Sequence, residues 1–302
     1  MAATGTLTQP ILHHPDPLPA VPENYPRGLY TEEQITKLDA LHAKIQPVLQ
    51  PASTNGDDEA KWCDDPCLLR YLRAVKWDVE AAVKRIESTL LWRREYQPHQ
   101  ISADEVEPEA VNGKEYVSGY DLMGRPLLYL IPRKEHTKTY DRQLRYVVYN
   151  LEHAIKAMPP GVEKLNILID YEGLSVFTAP PASQAKKVLQ ILGDHYPERL
   201  GMGFVFNPSW YLWGFFKIIS PFLDPITKSK IHFVNLKKLA ALAPTADSTD
   251  DALTKEKKEP EGMGGWTDPR KYIAPSMLVA DYGGTCPFVY NHEDYWKAIK
   301  AL

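Results

Sequence analysis

The chain has 302 residues, of which 44% are hydrophobic, 25% charged and 11% aromatic, the balance of a folded globular protein with enough length for one large domain or two smaller ones. Lys and Arg number 35 against 39 Asp and Glu, so the formal net charge of −4 excludes a nucleic-acid binder working by bulk positive charge. Three cysteines cannot make a disulfide framework, Cys63 and Cys67 lack a second Cys/His pair to complete a zinc site, and no stretch reaches the ~18 apolar residues of a membrane span. The N-terminus shows no basic and apolar regions of a secretory signal. These features predict a cytoplasmic protein whose membrane contact is peripheral.

Residues 1–30 are proline-rich without apolar periodicity and read as an extended arm. Thr31, with Gln34 three residues on, marks a capping box, and Ile35, Leu38, Leu41 and Ile45 give one apolar stripe that Pro47 ends. Residues 52–60 read as a polar loop. Asp65-Pro66 predicts a helix start, with Leu68, Leu69, Leu72 and Val75 inside it; Asp78 caps another helix running to about Tyr96. Residues 31–100 are therefore expected to be a helical N-terminal region.

From 101 to 302 the pattern becomes mixed. Tyr116–Tyr120 and Pro126–Ile131 read as strands around the turn 121–124. A helix follows over about 140–158, then a strand over Leu165–Asp170, a helix over 182–192, a strand over Gly203–Phe206, an aromatic helix over 211–219 and a strand over Ile231–Val234. This alternation implies βαβ units and a largely parallel sheet. Residues 238–268 have mixed charge and no period, and read as a mobile insertion; a terminal helix is expected near His292–Ala301.

Familiar enzyme signatures are missing. No dinucleotide or phosphate-loop glycine motif follows a strand, and there is no nucleophile elbow and no H-E-x-x-H. Asp170 ends an apolar strand, where a catalytic acid can sit, but no partner base accompanies it. The unusual stretch is 209–224, SWYLWGFFKIISPFLD. Its composition leaves two readings open: a buried core helix, or a helix that covers an apolar cavity and meets a membrane surface. After it, Thr227 and Lys230 share a helical face, and a hydroxyl beside an ammonium suits a phosphate.

LLRYLRAVKWD at 68–78, WRREY at 92–96, GRPLLYL at 124–130, ILIDYEGL at 167–174, HYPERLG at 195–201, PFLDPITKSKI at 221–231 and YGG at 282–284 occur in one order. Together they resemble the CRAL-TRIO fungal phosphatidylinositol transfer proteins, most nearly the pleiotropic-drug-resistance subfamily, which CLLRYLRAVKW at 67–77 and HTKTYDRQ at 136–143 favour. The resemblance spans 31–302 apart from the insertion. It implies an α/β fold in which a helical N-terminal region packs on a CRAL-TRIO lobe with a largely parallel sheet, helices and an internal lipid cavity. It implies no enzyme, no cofactor and no metal. The implied ligands are phosphatidylinositol and a second lipid, a sterol or another apolar lipid. The implied partners are transient membrane surfaces and lipid kinases.

By the same resemblance, Lys76, Glu198, Thr227 and Lys230 take the phosphatidylinositol headgroup. Tyr129, Leu165, Ile167 and Phe206 line the cavity, and Trp210, Trp213, Phe215, Phe216, Ile219 and Phe222 belong to a gate helix. Two departures stand out. Val75 replaces the usual Arg before Lys76, removing one cationic contact. Leu165 and Ile167 replace the Ser and Thr with which founding members hold phosphatidylcholine, leaving an apolar wall that disfavours that lipid. A lipid sensor without transfer and an α/β enzyme using Asp170 or Glu198 are the alternative readings.

Overall fold

The computed structural model describes residues 6–15, 18, 20–174, 181–208, 210–241 and 262–302, with the side chains of Asn55, Ala182, Trp210, Tyr211 and Phe215 outside the description. The chain divides into a helical unit, Leu18–Ile101 with Gln190–Arg199, and a sheet unit comprising Met1–Pro17, Ser102–Leu189 and Leu200–Leu302.

In the helical unit, α1 (Glu32–Ile45) starts at the anticipated capping box: the Thr31 hydroxyl oxygen accepts from the Gln34 N–H, and the Gln34 side chain accepts from the Thr31 N–H at 3.0 Å. Residues 52–60, read as a loop, instead begin two one-turn helices, α2 (Ala52–Asn55) and α3 (Glu59–Trp62). Glu59 is buried there and pairs with Arg94 at 2.7 Å. Helix α4 (Asp65–Ala74) is capped by Asp64, not by Asp65. Asp65 pairs instead with Arg27 at 2.6 Å and with His42 at 2.7 Å. Helix α5 (Val79–Tyr96) starts at Asp78 as expected. Leu38, Leu41, Ile45, Leu68, Leu69, Leu72, Ile86 and Leu90 close the core of the unit. Removing any of these to alanine costs about 2–5 kcal/mol.

The sheet unit opens with α6 (Ala103–Ala110), unseen in the sequence because Pro108 lies inside it; Ser102 caps it. Strands β1 (Glu115–Tyr120) and β2 (Pro126–Leu130) form an antiparallel hairpin, its turn fastened by the Asp121 carboxylate, which accepts from the Met123 and Arg125 N–H groups at 2.8 Å. Helix α7 (Tyr140–Lys156) leads to β3 (Leu165–Asp170), α8 (Ala182–His195) to β4 (Leu200–Phe206), and α9 (Trp210–Ile219) with α10 (Pro225–Ser229) to β5 (Ile231–Val234). The sheet order is β1-β2-β3-β4-β5, parallel from β2 onward.

Two anticipated loose segments are anchored. In the arm, the Ile11 carbonyl accepts from the Gly119 N–H and the Leu12 carbonyl from the Tyr120 hydroxyl. In the segment anticipated as an insertion, α11 (Leu236–Ala241) occupies the start, and 262–268 returns along β5, where the Thr267 N–H donates to Phe233 O at 2.9 Å and Trp266 is buried. Its middle, 242–261, lies outside the described residues. Helix α12 (His292–Lys300) ends the chain. The YGG motif has a packing reason: Gly283 is left-handed (φ 90°), and a Cβ on Gly284 would lie 1.9 Å from the Leu278 carbonyl oxygen.

Candidate functional site

Register decides what each strand residue faces. Tyr129, Leu168 and Phe204 are paired across β2, β3 and β4, as are Leu128, Ile167 and Gly203 one residue earlier. Paired residues share a face and neighbours alternate. The four residues expected to line one wall therefore split. Tyr129 and Phe206 lie on one face, fully buried against Tyr282, with ring centroids 5.4 and 4.9 Å away. Leu165 and Ile167 lie on the other, with Ile169, Val205 and Phe233. Leu165 and Ile167 thus share one face, whereas Tyr129 and Phe206 lie in an aromatic layer on the other.

The second face is the one α9 covers. Leu212, Phe216 and Ile219 pack with Val205, Phe233 and Trp266, and the Trp213 ring lies 4.9 Å from that of Phe233. Coverage is incomplete: Leu130, Ile167, Ile169 and Ile231 on this face are only half-buried, whereas Tyr129, Leu168, Phe204 and Phe206 behind it are buried. A strip of aliphatic surface on the face that an aromatic helix partly covers suits an apolar ligand.

Of the gate residues, Trp213, Phe216 and Ile219 turn toward the sheet, while the side chains of Trp210 and Phe215 lie outside the described residues. Along α9 and α10, among the described residues, the large apolar side chains that face solvent are Ile218 (57% exposed), Phe222 (49%) and Ile226 (60%). The Lys186 ammonium sits 4.6 Å over the Phe222 ring.

The residues assigned to the headgroup fall in both units. In the helical unit, Lys76 (φ 54°) and Trp77 (φ 67°) turn the chain between α4 and α5, closed by the Trp77 N–H on Leu72 O at 2.7 Å. Glu198 (φ 60°) occupies the turn after α8. Each left-handed residue with a side chain costs about 1–2 kcal/mol, and such positions gather at functional sites. The turn bearing Glu198 is held by its own unit: Trp92 stacks on His195, the Tyr71 hydroxyl lies within hydrogen-bond distance of the Thr89 hydroxyl and of His195 O, and Arg85 caps the end of α8 at Gly193 O. Burial pushes the His195 imidazole below its ordinary pKa, against the opposing pull of Asp194.

In the sheet unit, Asp224 caps α10, and the Thr227 hydroxyl donates to its carboxylate at 2.6 Å. Burial raises the Asp224 carboxyl, but hydrogen bonds from Thr227 and the local backbone outweigh it and hold it below its ordinary value. With its one proton committed, Thr227 offers lone pairs, which suit a ligand hydroxyl better than a phosphate oxygen. Lys230 follows the helix, and its ammonium donates to Leu200 O at 3.1 Å.

Asp170, one of the two candidate acids, is spent structurally. Its carboxylate accepts from Arg133, the Tyr282 hydroxyl (3.3 Å), Asn207 Nδ2 (3.0 Å) and the Glu172 N–H (3.0 Å). Asn207 and Trp266 were missed in the sequence. The only signal for Asn207 was an Asn-Pro pair after a strand.

The chain matches the CRAL/TRIO domain over residues 110–249 and the CRAL/TRIO N-terminal domain over 37–88. It is 38% identical over 306 residues to the CRAL-TRIO domain-containing protein C23B6.04c of Schizosaccharomyces pombe, which covers 99% of this chain and 27% of that protein. It is 34% identical over 277 residues to the phosphatidylinositol transfer protein PDR17 of Saccharomyces cerevisiae, covering 87% of this chain and 68% of that protein. The SEC14 cytosolic factor of Yarrowia lipolytica is 29% identical over 310 residues, covering 93% of this chain and 61% of that protein. The chain thus spans about a quarter of the first of these relatives and about two thirds of the second. Among solved structures, Sfh5 superposes with a TM-score of 0.57 at 18% identity, over 84% of this chain and 95% of that one, a likeness of fold.

Proposed function

This chain belongs to the CRAL/TRIO family, and from that premise we propose that it is a phosphatidylinositol transfer protein that carries one lipid beneath α9. The observation that carries the reading is the half-buried aliphatic strip Leu130, Ile167, Ile169 and Ile231 on the sheet face against which the aromatic helix packs. The similarity to PDR17, named for phosphatidylinositol transfer, supports the choice of lipid.

Moving a lipid through water costs about 0.8 kcal/mol per exposed CH₂, or ~20–30 kcal/mol for two long chains. A carrier removes that barrier by keeping the chains on apolar side chains throughout, which needs a cover that moves at the membrane. With a net charge of −4, docking rests on apolar insertion of Ile218, Phe222 and Ile226 beside Lys217 rather than on general attraction to anionic lipid. Among the described residues no helix is long and apolar enough to cross a membrane, and contact in this reading is peripheral, from the cytoplasm.

Thr227 and Lys230 are the headgroup residues of the sheet unit in this reading, with Lys230 serving phosphate and Thr227 accepting from an inositol hydroxyl. Lys76 and Glu198 carry the same assignment in the helical unit. The second lipid is a sterol or similarly apolar molecule, because Leu165 and Ile167 give no hydroxyl to a choline headgroup. The protein works as a carrier without catalysis and supplies phosphatidylinositol to membrane-bound lipid kinases.

The test is lipid extraction and mass spectrometry of purified protein, followed by transfer between donor and acceptor vesicles. Bound phosphatidylinositol that moves between vesicles is the expected result. Bound lipid without transfer would make the protein a sensor, and a protein binding no lipid would overturn the reading.

A further inference from the structure

Helix α9 is attached to the sheet in two physically different ways. Along its length it rests on apolar contacts: Leu212, Phe216 and Ile219 against Val205, Phe233 and Trp266. Such contacts are non-directional, so they can be exchanged for lipid or for a membrane surface at little net cost. At its N-terminal end the chain leaves β4 through Asn207, whose backbone is left-handed (φ 52°) and whose amide donates to the Asp170 carboxylate at 3.0 Å. Among the described residues Asn207 is the one non-glycine left-handed position of the sheet unit. Asn tolerates this conformation because its short side chain bonds locally. Water or lipid cannot replace that bond at equal geometry, since Asp170 is buried and fixed from other directions by Arg133, the Tyr282 hydroxyl and the Glu172 N–H.

We propose that the Asn207–Asp170 hydrogen bond is the latch that sets how often the aromatic helix lifts from the sheet. Asn207 is the hinge, Asp170 the positioning residue that holds it, and the Arg133–Tyr282 pair keeps Asp170 from following when the helix moves. The Asn207 N–H also donates to Val234 O at 3.3 Å, so the hinge is tied by its main chain to β5 and by its side chain to β3. Lifting the helix while keeping the sheet intact requires rotation at Asn207, and the side-chain tie is the contact that rotation breaks first. At the other end, the Asp224 cap of α10 and the Lys230 bond to Leu200 O anchor the chain beyond the helix, so motion is confined between two fixed points.

The inference rests on the proposed role of α9 as a cover, but its test does not use lipid. Hydrogen–deuterium exchange is measured by mass spectrometry on the full chain. Asn207→Gly keeps the left-handed backbone without strain and removes the latch. Exchange over Trp210–Ile219 is expected to rise about tenfold, with the strands and the helical unit unchanged, because a hydrogen bond to a charged group in a buried setting has been lost. Arg133→Gln removes another partner of Asp170 but leaves Asn207 bonded; it is expected to lower the melting temperature without a selective rise over the helix. An unchanged rate over 210–219 in Asn207→Gly, or a rise spread evenly over the whole chain, would overturn the latch. Absence of bound lipid would overturn the carrier reading and leave the exchange result standing.

Discussion

Trp92 and His195 lie face to face, ring centroids 4.2 Å apart with 6° between their planes, although 103 positions separate them in the chain (195 − 92). This stack holds the end of α8 against α5 within the helical unit and thereby places the turn that carries Glu198. The strained backbone of that turn is sustained by the packing behind it, since a left-handed Glu has no local preference for its conformation.

Trp92→Ala is expected to destabilise the helical unit by about 2 kcal/mol, combining lost apolar burial of a half-buried ring with a stacking contribution of about 0.5–1.5 kcal/mol. Amide exchange over 190–199 should accelerate in the same variant. A melting curve and exchange pattern identical to the parent would show that the stack does not hold the turn.

Burial pushes His153 down to about 4, against the opposing hydrogen bond to the Tyr149 carbonyl. The unfolded chain takes up this proton near pH 6.5, while the folded chain resists until about 4. Between those values the unfolded state binds more protons, so stability falls as pH falls from 6.5 to 4 and is unaffected by this group above 6.5. The shift is equivalent to about 3 kcal/mol. Denaturant titrations of the parent and of His153→Phe should diverge in slope across that window; parallel curves would contradict the assignment.

Lys230→Ala and Glu198→Ala are each expected to reduce phosphatidylinositol transfer between vesicles roughly 10- to 100-fold, the value of one charge-assisted contact, while sterol binding is retained. Loss of both ligands together, with an unchanged melting temperature, would remove these residues from the headgroup. Thr227→Val should reduce phosphatidylinositol transfer and also raise the Asp224 carboxyl toward its ordinary value, because the hydrogen bond that lowers it most is gone.

Ile167→Thr restores a hydroxyl on the α9 side of the sheet, where Ile167 is half-buried. It is expected to admit measurable phosphatidylcholine at a stability cost of about 1–3 kcal/mol for a poorly partnered hydroxyl. The same change at Leu168, which is buried on the opposite face, should cost more stability and admit none. Equal lipid uptake by the two variants would contradict the division of the faces.

Much of this protein was legible in its residues. The capping box at Thr31, the Asp78 cap, the strands Leu165–Asp170 and Ile231–Val234 and the aromatic helix all rest on interactions between close neighbours, which periodicity and cap chemistry report directly. Even so, Asp64 and not Asp65 caps α4, because Arg27 and His42 claim the second carboxylate, and neither is near it in the chain. Helix α6 was hidden by its internal Pro108, and the ordered return at 262–268 by a composition that says nothing about an open strand edge waiting for Gly265 and Thr267.

The sequence by itself determined most of the elements, their order and the family signature. Only the tertiary structure decided which side of the sheet each residue serves. LNILID and LGMGFVF place apolar residues on both faces, and Asn166 and Asp170 are buried rather than turned to solvent, so the usual apolar-in, polar-out alternation does not tell which face is which. Register between strands sets it, through hydrogen bonds to segments dozens of residues away. That pairing is what puts Ile167 on the face the aromatic helix packs against and turns Tyr129 and Phe206 to the layer behind it.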